Sequence, residues 1–232
     1  MPKKDTVRQM FDGIAPSYDR LNHLMSLGVD RRWRRRAVRE IVDGSAQQVL
    51  DIACGTGDLT IDIAKAAGAG SIVTGSDISE GMMSYVMSKA AHEGVSERIR
   101  LKVADGCNLP WGEDEFDRVA CAFGIRNFED KSKGLEEFLR VLKPGGKLVI
   151  LELSVPSNKV LLALYKLYFL HVMPWIGGLI SGDKAAYKYL PASVMAFPAP
   201  DVFCGMVSAA GFRSVRHRAF SLGLCRMYIG EK

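Results

Sequence analysis

Two glycines stand between two acids in the segment Asp51-Ile-Ala-Cys-Gly55-Thr-Gly57-Asp58. Glycine has no Cβ, so a chain that bends at Gly55 and Gly57 brings its backbone close to a bound molecule. The helix expected to follow would add unpaired N–H groups and a partial positive charge, which suit a carboxylate or a phosphate. Spacing and charge decide which ligand this is. A dinucleotide fingerprint needs a third glycine or alanine three residues after the second, and this chain has Thr60 there. Asp51 and Asp58 would repel a pyrophosphate and attract a cofactor that carries ammonium and sulfonium groups. The loop is therefore read as a binding site for S-adenosylmethionine, built from Asp51, Gly55 and Gly57.

Two further acids fit that reading. Asp77 lies twenty residues beyond Gly57, at the end of the next apolar run, where an acid grips ribose hydroxyls in sheets of this kind. Asp105 follows a third run and is placed to accept from an adenine amino group, with Gly106 giving the backbone room.

The elements that must position these residues follow from the apolar pattern. Gln48 to Ala53, Ser71 to Ser76, Ile99 to Ala104, Phe116 to Ala122 and Lys147 to Leu153 read as five strands, apolar on both faces as covered parallel strands must be. Longer helix-periodic segments separate them, the signature of repeated βαβ units. Leu135, Phe138, Leu139 and Leu142 recur at helical spacing, and Pro144-Gly145-Gly146 is expected to be the turn that delivers the fifth strand. Ser214 to Ala219 and Leu224 to Gly230 are too close for a crossover helix and should form an antiparallel hairpin. The expected fold is α/β: a Rossmann-like, mostly parallel seven-stranded sheet ending in that hairpin, with helical additions over the cleft. One domain is expected, with residues 1–46 a helical lid, 47–155 the cofactor-binding core, 156–200 a helical insertion on the substrate side, and 201–232 the final helix and hairpin.

Bulk composition excludes several alternatives. At 232 residues, 48% apolar and 25% charged, the chain is neither disordered nor fibrous. Its five cysteines are scattered and never spaced C-x-x-C, so no disulfide framework and no metal site is expected. The polar N-terminus lacks the apolar core of a signal peptide, which points to the cytoplasm. Val160 to Ile180 is apolar and nearly long enough to span a bilayer, but Lys166, His171, Pro174 and Gly177-Gly178 interrupt it, which favours a buried or interfacial helix. Much of the net charge of +5 falls on Arg31, Arg32, Arg34, Arg35, Arg36 and Arg39. Trp33, Ala37, Val38 and Ile41 would face the core while those arginines are solvated, or meet an anionic membrane surface.

Several runs carry a family resemblance. Tyr18-Asp-Arg-Leu-Asn22-His-Leu-Met-Ser26 through Trp33, Phe123-Gly-Ile-Arg-Asn127, Arg140-Val-Leu-Lys-Pro-Gly-Gly-Lys-Leu-Val-Ile-Leu-Glu152-Leu-Ser154 and Tyr187-Lys-Tyr-Leu-Pro-Ala-Ser193 together resemble the ubiquinone/menaquinone biosynthesis C-methyltransferases over nearly the whole chain. Leu21, Asp30 and Ala122 depart from the family pattern, standing where methionine, histidine and serine are usual. The resemblance implies that Thr60, Asp77, Asp105 and Gly106 serve the cofactor, and that Ala122 can offer it only its backbone. It further implies carbon methylation of a polyprenylated hydroquinone, whose tail needs an apolar path such as Val160 to Ile180.

A ring carbon of this kind becomes nucleophilic as the neighbouring hydroxyl loses its proton, so a base is needed. His23 is the candidate by residue type, with Tyr18 and water as alternatives. Arg126 stays protonated and would stabilise the developing phenolate, with Asn127 holding the same oxygen. Two other readings stand beside this one, a methyltransferase for a different small molecule and an RNA methyltransferase drawn by the arginine cluster. Ala122-Phe-Gly-Ile-Arg-Asn127 lacks the acid-or-amide Pro-Pro-aromatic run typical of base-amine methylation, so no nucleic-acid partner is expected. The sequence leaves the oligomeric state undetermined.

Overall fold

The computed structural model describes residues 4–19, 26, 28–156, 158, 162, 163, 165, 167 and 184–232. Seven strands form one sheet: β1 (Gln48–Ile52), β2 (Ile72–Asp77), β3 (Ile99–Val103), β4 (Phe116–Ala122), β5 (Leu142–Leu153), β6 (Arg213–Phe220) and β7 (Cys225–Glu231). Their order is β3-β2-β1-β4-β5-β7-β6. The first five are mutually parallel, and β7 lies antiparallel between β5 and β6. The order reverses between β1 and β4, and the crevice outside the carboxyl ends of those strands is where such sheets bind ligands.

Successive strand residues point to opposite faces, so each central strand feeds two cores. Val49, Val73, Ala120, Val149 and Leu151 pack on one side with Trp33, Ala37, Val38 and Ile41 of α2 (Asp30–Ile41), Leu59 and Ile63 of α3 (Asp58–Ala66), and Val86 and Ala90 of α5 (Val86–His92). Leu50, Ile52, Val119, Cys121, Leu148 and Ile150 pack on the other with Leu135, Phe138 and Val141 of α6 (Lys131–Val141) and Phe203 and Val207 of α8 (Pro200–Ala209). Between these lie the short α4 (Glu80–Met83), α1 (Lys4–Ile14) at the start, and α7 (Lys184–Ala196) before α8.

Two expectations are corrected. Pro144-Gly145-Gly146 does not precede the fifth strand but interrupts it: Leu142 already pairs with Phe116, the next pair is Lys147 with Arg118, and the residues between bulge out with Gly145 at φ 76°. The arginines of α2 are not all solvated either. Arg34 is buried and reaches Asp30 (2.6 Å), Asp58 (3.0 Å) and Asp62 (3.2 Å), so the unusual Asp30 is half of an internal ion pair.

No single helix among the described residues is long and apolar enough to cross a membrane, although Tyr189–Ala196 and Pro200–Ala209, bent by 68° to each other, together meet that length and composition. Most of Val160 to Ile180 lies outside the described residues; within it Tyr165 is buried and Leu167 exposed.

Candidate active site

A cavity of about 360 Å³ opens at the carboxyl ends of β1, β2 and β4, lined there by Ile52, Ala53, Asp77 and Ala122. The glycine loop forms one wall. Gly55 adopts φ 54°, and a Cβ on it would stand 3.3 Å from Met82 Cε. Gly57, at φ 83°, begins α3, and a Cβ there would lie 2.7 Å from Val86 Cγ1. Both need glycine, for the left-handed backbone and for close packing, but only Gly55 touches the cavity.

Asp77 organises that wall. One carboxylate oxygen accepts from the Gly55 N–H (2.9 Å) and the other from the Ser79 N–H (2.9 Å), so one side chain ties the loop after β1 to the loop after β2. Each oxygen keeps a further lone pair for a ligand hydroxyl. Burial raises the Asp77 carboxyl above the usual range, opposed by those backbone donors. Asp105 also lines the cavity, and its oxygens accept from Lys4 Nζ (2.6 Å) and the Cys107 N–H (3.0 Å). Burial pushes its carboxyl up, but Lys4 and the backbone donor outweigh this and hold it below the ordinary value. A Cβ on Gly106 would run into the Phe128 ring, so this glycine lets an aromatic wall close over the backbone.

The acids flanking the glycine loop do not play the electrostatic part expected of them. Asp58 is bound by Lys89 (2.5 Å) and Arg34 (3.0 Å), and Asp51 is buried beneath the wall, with one oxygen accepting from Thr60 Oγ1 (2.6 Å) and the other without a hydrogen-bond partner. The acids that do line the cavity are Asp77, Asp105, Glu129 and Asp130, with Lys4, which pairs with Asp105, and Lys133 beside them. Thr60 is fully buried on Asp51, which makes both supports of the loop rather than parts of its lining.

Burial raises the Asp51 carboxyl to about 7 from 3.8. The fold therefore holds a proton that the unfolded chain releases, and this contribution to stability is present below pH 3.8 and lost as pH rises to about 7. Its loss costs on the order of 4 kcal/mol. Asp51→Asn, which stays neutral, should remove that part of the slope in urea unfolding measured across the interval; identical slopes in the two proteins would refute it.

The N-terminal segment closes the other side. Val7, Phe11 and Tyr18 line the cavity, with the Phe11 and Tyr18 rings edge to face at 6.0 Å. Asp12 accepts from Ser79 Oγ (2.5 Å), and Asp19 accepts from Thr56 Oγ1 (2.5 Å) and Lys89 Nζ (2.8 Å). Nothing in the local sequence pattern marked Lys4, whose partner Asp105 lies 101 residues along the chain.

Arg126 and Asn127 sit in a short turn after β4. Asn127 lines the cavity, and its Oδ1 accepts from Tyr189 Oη of α7 (3.0 Å). Arg126 is buried. Its Nη1 donates to Glu152 Oε1 (2.9 Å) and to the Phe123 carbonyl, its backbone N–H donates to Glu152 Oε2 (3.1 Å), and its Nε has no hydrogen-bond partner. Burial opposes the charge, but Glu152 outweighs it and keeps Arg126 protonated. Burial likewise raises the Tyr189 phenol, which remains a donor at neutral pH. His23 lies outside the described residues. Of the residues that sequence reasoning assigned to the site, Tyr18, Gly55, Asp77, Asp105, Gly106, Ala122 and Asn127 line the cavity, whereas Asp51, Gly57, Thr60 and Arg126, expected to bind cofactor or act in catalysis, do not. That reasoning did not single out Glu152 or Tyr189 as partners of the Arg126-Asn127 pair.

The residues present fit S-adenosylmethionine: acceptors at the ends of β2 and β3, a glycine bend, and a cavity within the usual volume of small-molecule sites. The sheet order and this site define a Rossmann-like, S-adenosylmethionine-dependent methyltransferase. The fold is shared with an S-adenosylmethionine-dependent methyltransferase from Aquifex aeolicus, at a TM-score of 0.58 and 19% identity, over 85% of this chain and 88% of that one. The model of the ubiE/COQ5 methyltransferase family matches residues 1–232, and the chain belongs to that family. Over 230 residues it is 46% identical to the ubiquinone/menaquinone biosynthesis C-methyltransferase of Geobacter sulfurreducens, covering 99% of this chain and 90% of the relative. It is also 46% identical to the demethylmenaquinone methyltransferase of Deinococcus radiodurans, covering 99% and 94%.

Proposed function

We propose that this methyltransferase transfers the methyl group of S-adenosylmethionine to a ring carbon of a polyprenylated hydroquinone in menaquinone or ubiquinone biosynthesis. The observation that carries this is the match along the whole chain to relatives named for that activity. Bound S-adenosylmethionine supplies an electrophilic methyl group; everything else falls to the chain. Asp77 and Asp105, with Gly55, Gly106 and the Ala122 backbone, hold the nucleoside, while Asp51, Gly57 and Thr60 keep the loop in shape behind them.

Because Tyr189 occupies the Asn127 carbonyl oxygen, the Asn127 amide nitrogen is the end left to donate to a hydroquinone oxygen. Arg126, fixed by Glu152 behind that amide, stabilises negative charge through its buried guanidinium as that oxygen loses its proton. The proton goes to Tyr18, to water or to His23. Residues 1–46 act as the lid and 156–200 as the substrate-side insertion around the core.

The decisive assay incubates the protein with labelled methyl donor and, separately, reduced demethylmenaquinone or a ubiquinol precursor. Label is expected in at least one ring, and label in neither defeats the substrate assignment.

A further inference from the structure

Helix α2 and the edge strand β6 lie side by side in opposite directions. Trp33 Nε1 donates to Ser221 Oγ (3.0 Å), the Arg36 guanidinium stands 5.5 Å from the centre of the Phe220 ring, and Arg216 comes within 3.9 Å of Glu40. Successive turns of the helix thus track down the strand, and the arginines of both elements merge into one ridge. Arg31, Arg32, Arg35, Arg36 and Arg39 are exposed on α2, and Arg216 and Arg218 on β6. Arg218 stands 5.9 Å from the centre of the same Phe220 ring as Arg36, so two like charges gather at one aromatic side chain. The acids against this ridge are Glu40 and Glu231, each 3.9 Å from Arg216, too few to neutralise it.

An apolar point completes the ridge. Leu222 is 76% exposed, and both Ser221 (φ 47°) and Leu222 (φ 59°) hold the left-handed backbone that side chains disfavour. Trp33 fixes this turn from one side, and Ser154 Oγ, donating to the Gly223 carbonyl (2.6 Å), fixes it from another. Since β5 and β6 both run antiparallel to β7, the turn lies at the cavity end of the sheet. The Trp33 ring stands 6.3 Å from that of Phe123, which lines the cavity.

We propose that this ridge seats the protein on an anionic phospholipid bilayer, with the arginines among the headgroups and Leu222 beneath them, so that the cavity end faces the lipid. Arginines alone would suit any polyanion; a leucine held out among them suits a surface with an apolar layer under its charge. The choice of lipid rests on the hydroquinone reading, because a polyprenylated substrate dissolves in membranes.

The test is co-sedimentation of the full chain with phosphatidylcholine vesicles, with and without phosphatidylglycerol. Binding is expected only to the anionic vesicles and should vanish near 1 M salt, where screening is short-ranged. Arg35→Glu with Arg39→Glu should weaken it at least about 30-fold, and Leu222→Asp about 10-fold, with thermal unfolding and cofactor affinity unchanged in both variants. Binding to neutral vesicles alike, binding to neither, unaltered binding by the double variant, tighter binding to RNA, or a dimer that the double variant dissociates would each overturn the proposal. A water-soluble, short-tailed hydroquinone separates the two readings: no methylation with vesicle binding intact defeats only the substrate assignment, and methylation without vesicle binding defeats only the docking surface.

Discussion

Arg126→Ala is expected to destabilise the folded chain by about 3–5 kcal/mol, because it strands the Glu152 carboxylate in the core without its cation. Glu152 has no exposed surface, and its remaining donors are the backbone N–H groups of Arg126 and Leu153. Urea unfolding measures this loss. On the fraction that stays folded, turnover should fall much further than cofactor affinity, since Asp77 and Asp105 are not partners of Arg126. Equal losses in both would assign Arg126 to the fold and remove it from the chemistry. Glu152→Gln keeps the shape but strands the Arg126 cation and turns an amide N–H toward a backbone donor, so it too should lose about 3–5 kcal/mol in urea unfolding while slowing turnover.

Asp77→Ala should weaken S-adenosylmethionine binding by about 100-fold. The ribose contact alone would account for about 10- to 100-fold. The upper end is expected because the same carboxylate accepts from Gly55 and Ser79, so its removal loosens the backbone on two sides of the pocket. Asp77→Asn retains one acceptor and should fall between. Calorimetry with the isolated protein reads the affinity directly, and an unchanged constant would remove Asp77 from the site.

The inner strands β1, β4 and β5 were legible because they are largely buried on both faces and so read as apolar runs; the edge strands β3 and β6 are mostly exposed, and the final hairpin was betrayed by the short gap before Leu224. Pro144-Gly145-Gly146 misled because turn residues also make bulges, and only the pairing of Leu142 with Phe116 distinguishes the two. The glycine bend and Asp77 were legible for a similar reason: their partners are fixed by the topology of one βαβ unit. Arg34 was not, because helical periodicity assigns a face by the neighbours of a residue in its own helix, whereas two of its three acids come from α3. The same limit hid Lys4 at Asp105 and Tyr189 at Asn127, contacts across 101 and 62 residues with no repeating pattern to announce them. The charge argument at the loop identified the cofactor through the wrong carboxylates, since sequence gives an acid's position but not the lysine or arginine that will cancel it.

The placing of β7 between β5 and β6 has a consequence for how the chain is made. On the ribosome, every strand from β1 to β5 can find its parallel neighbours before Cys225 has been synthesised. The side of β5 that will receive Cys225–Glu231 meanwhile shows bare N–H and C=O groups along an apolar strand, an open template for any other nascent chain. Completion of the sheet is thus deferred until β7 has been translated, and the growing polypeptide depends on a chaperone at that edge to escape aggregation.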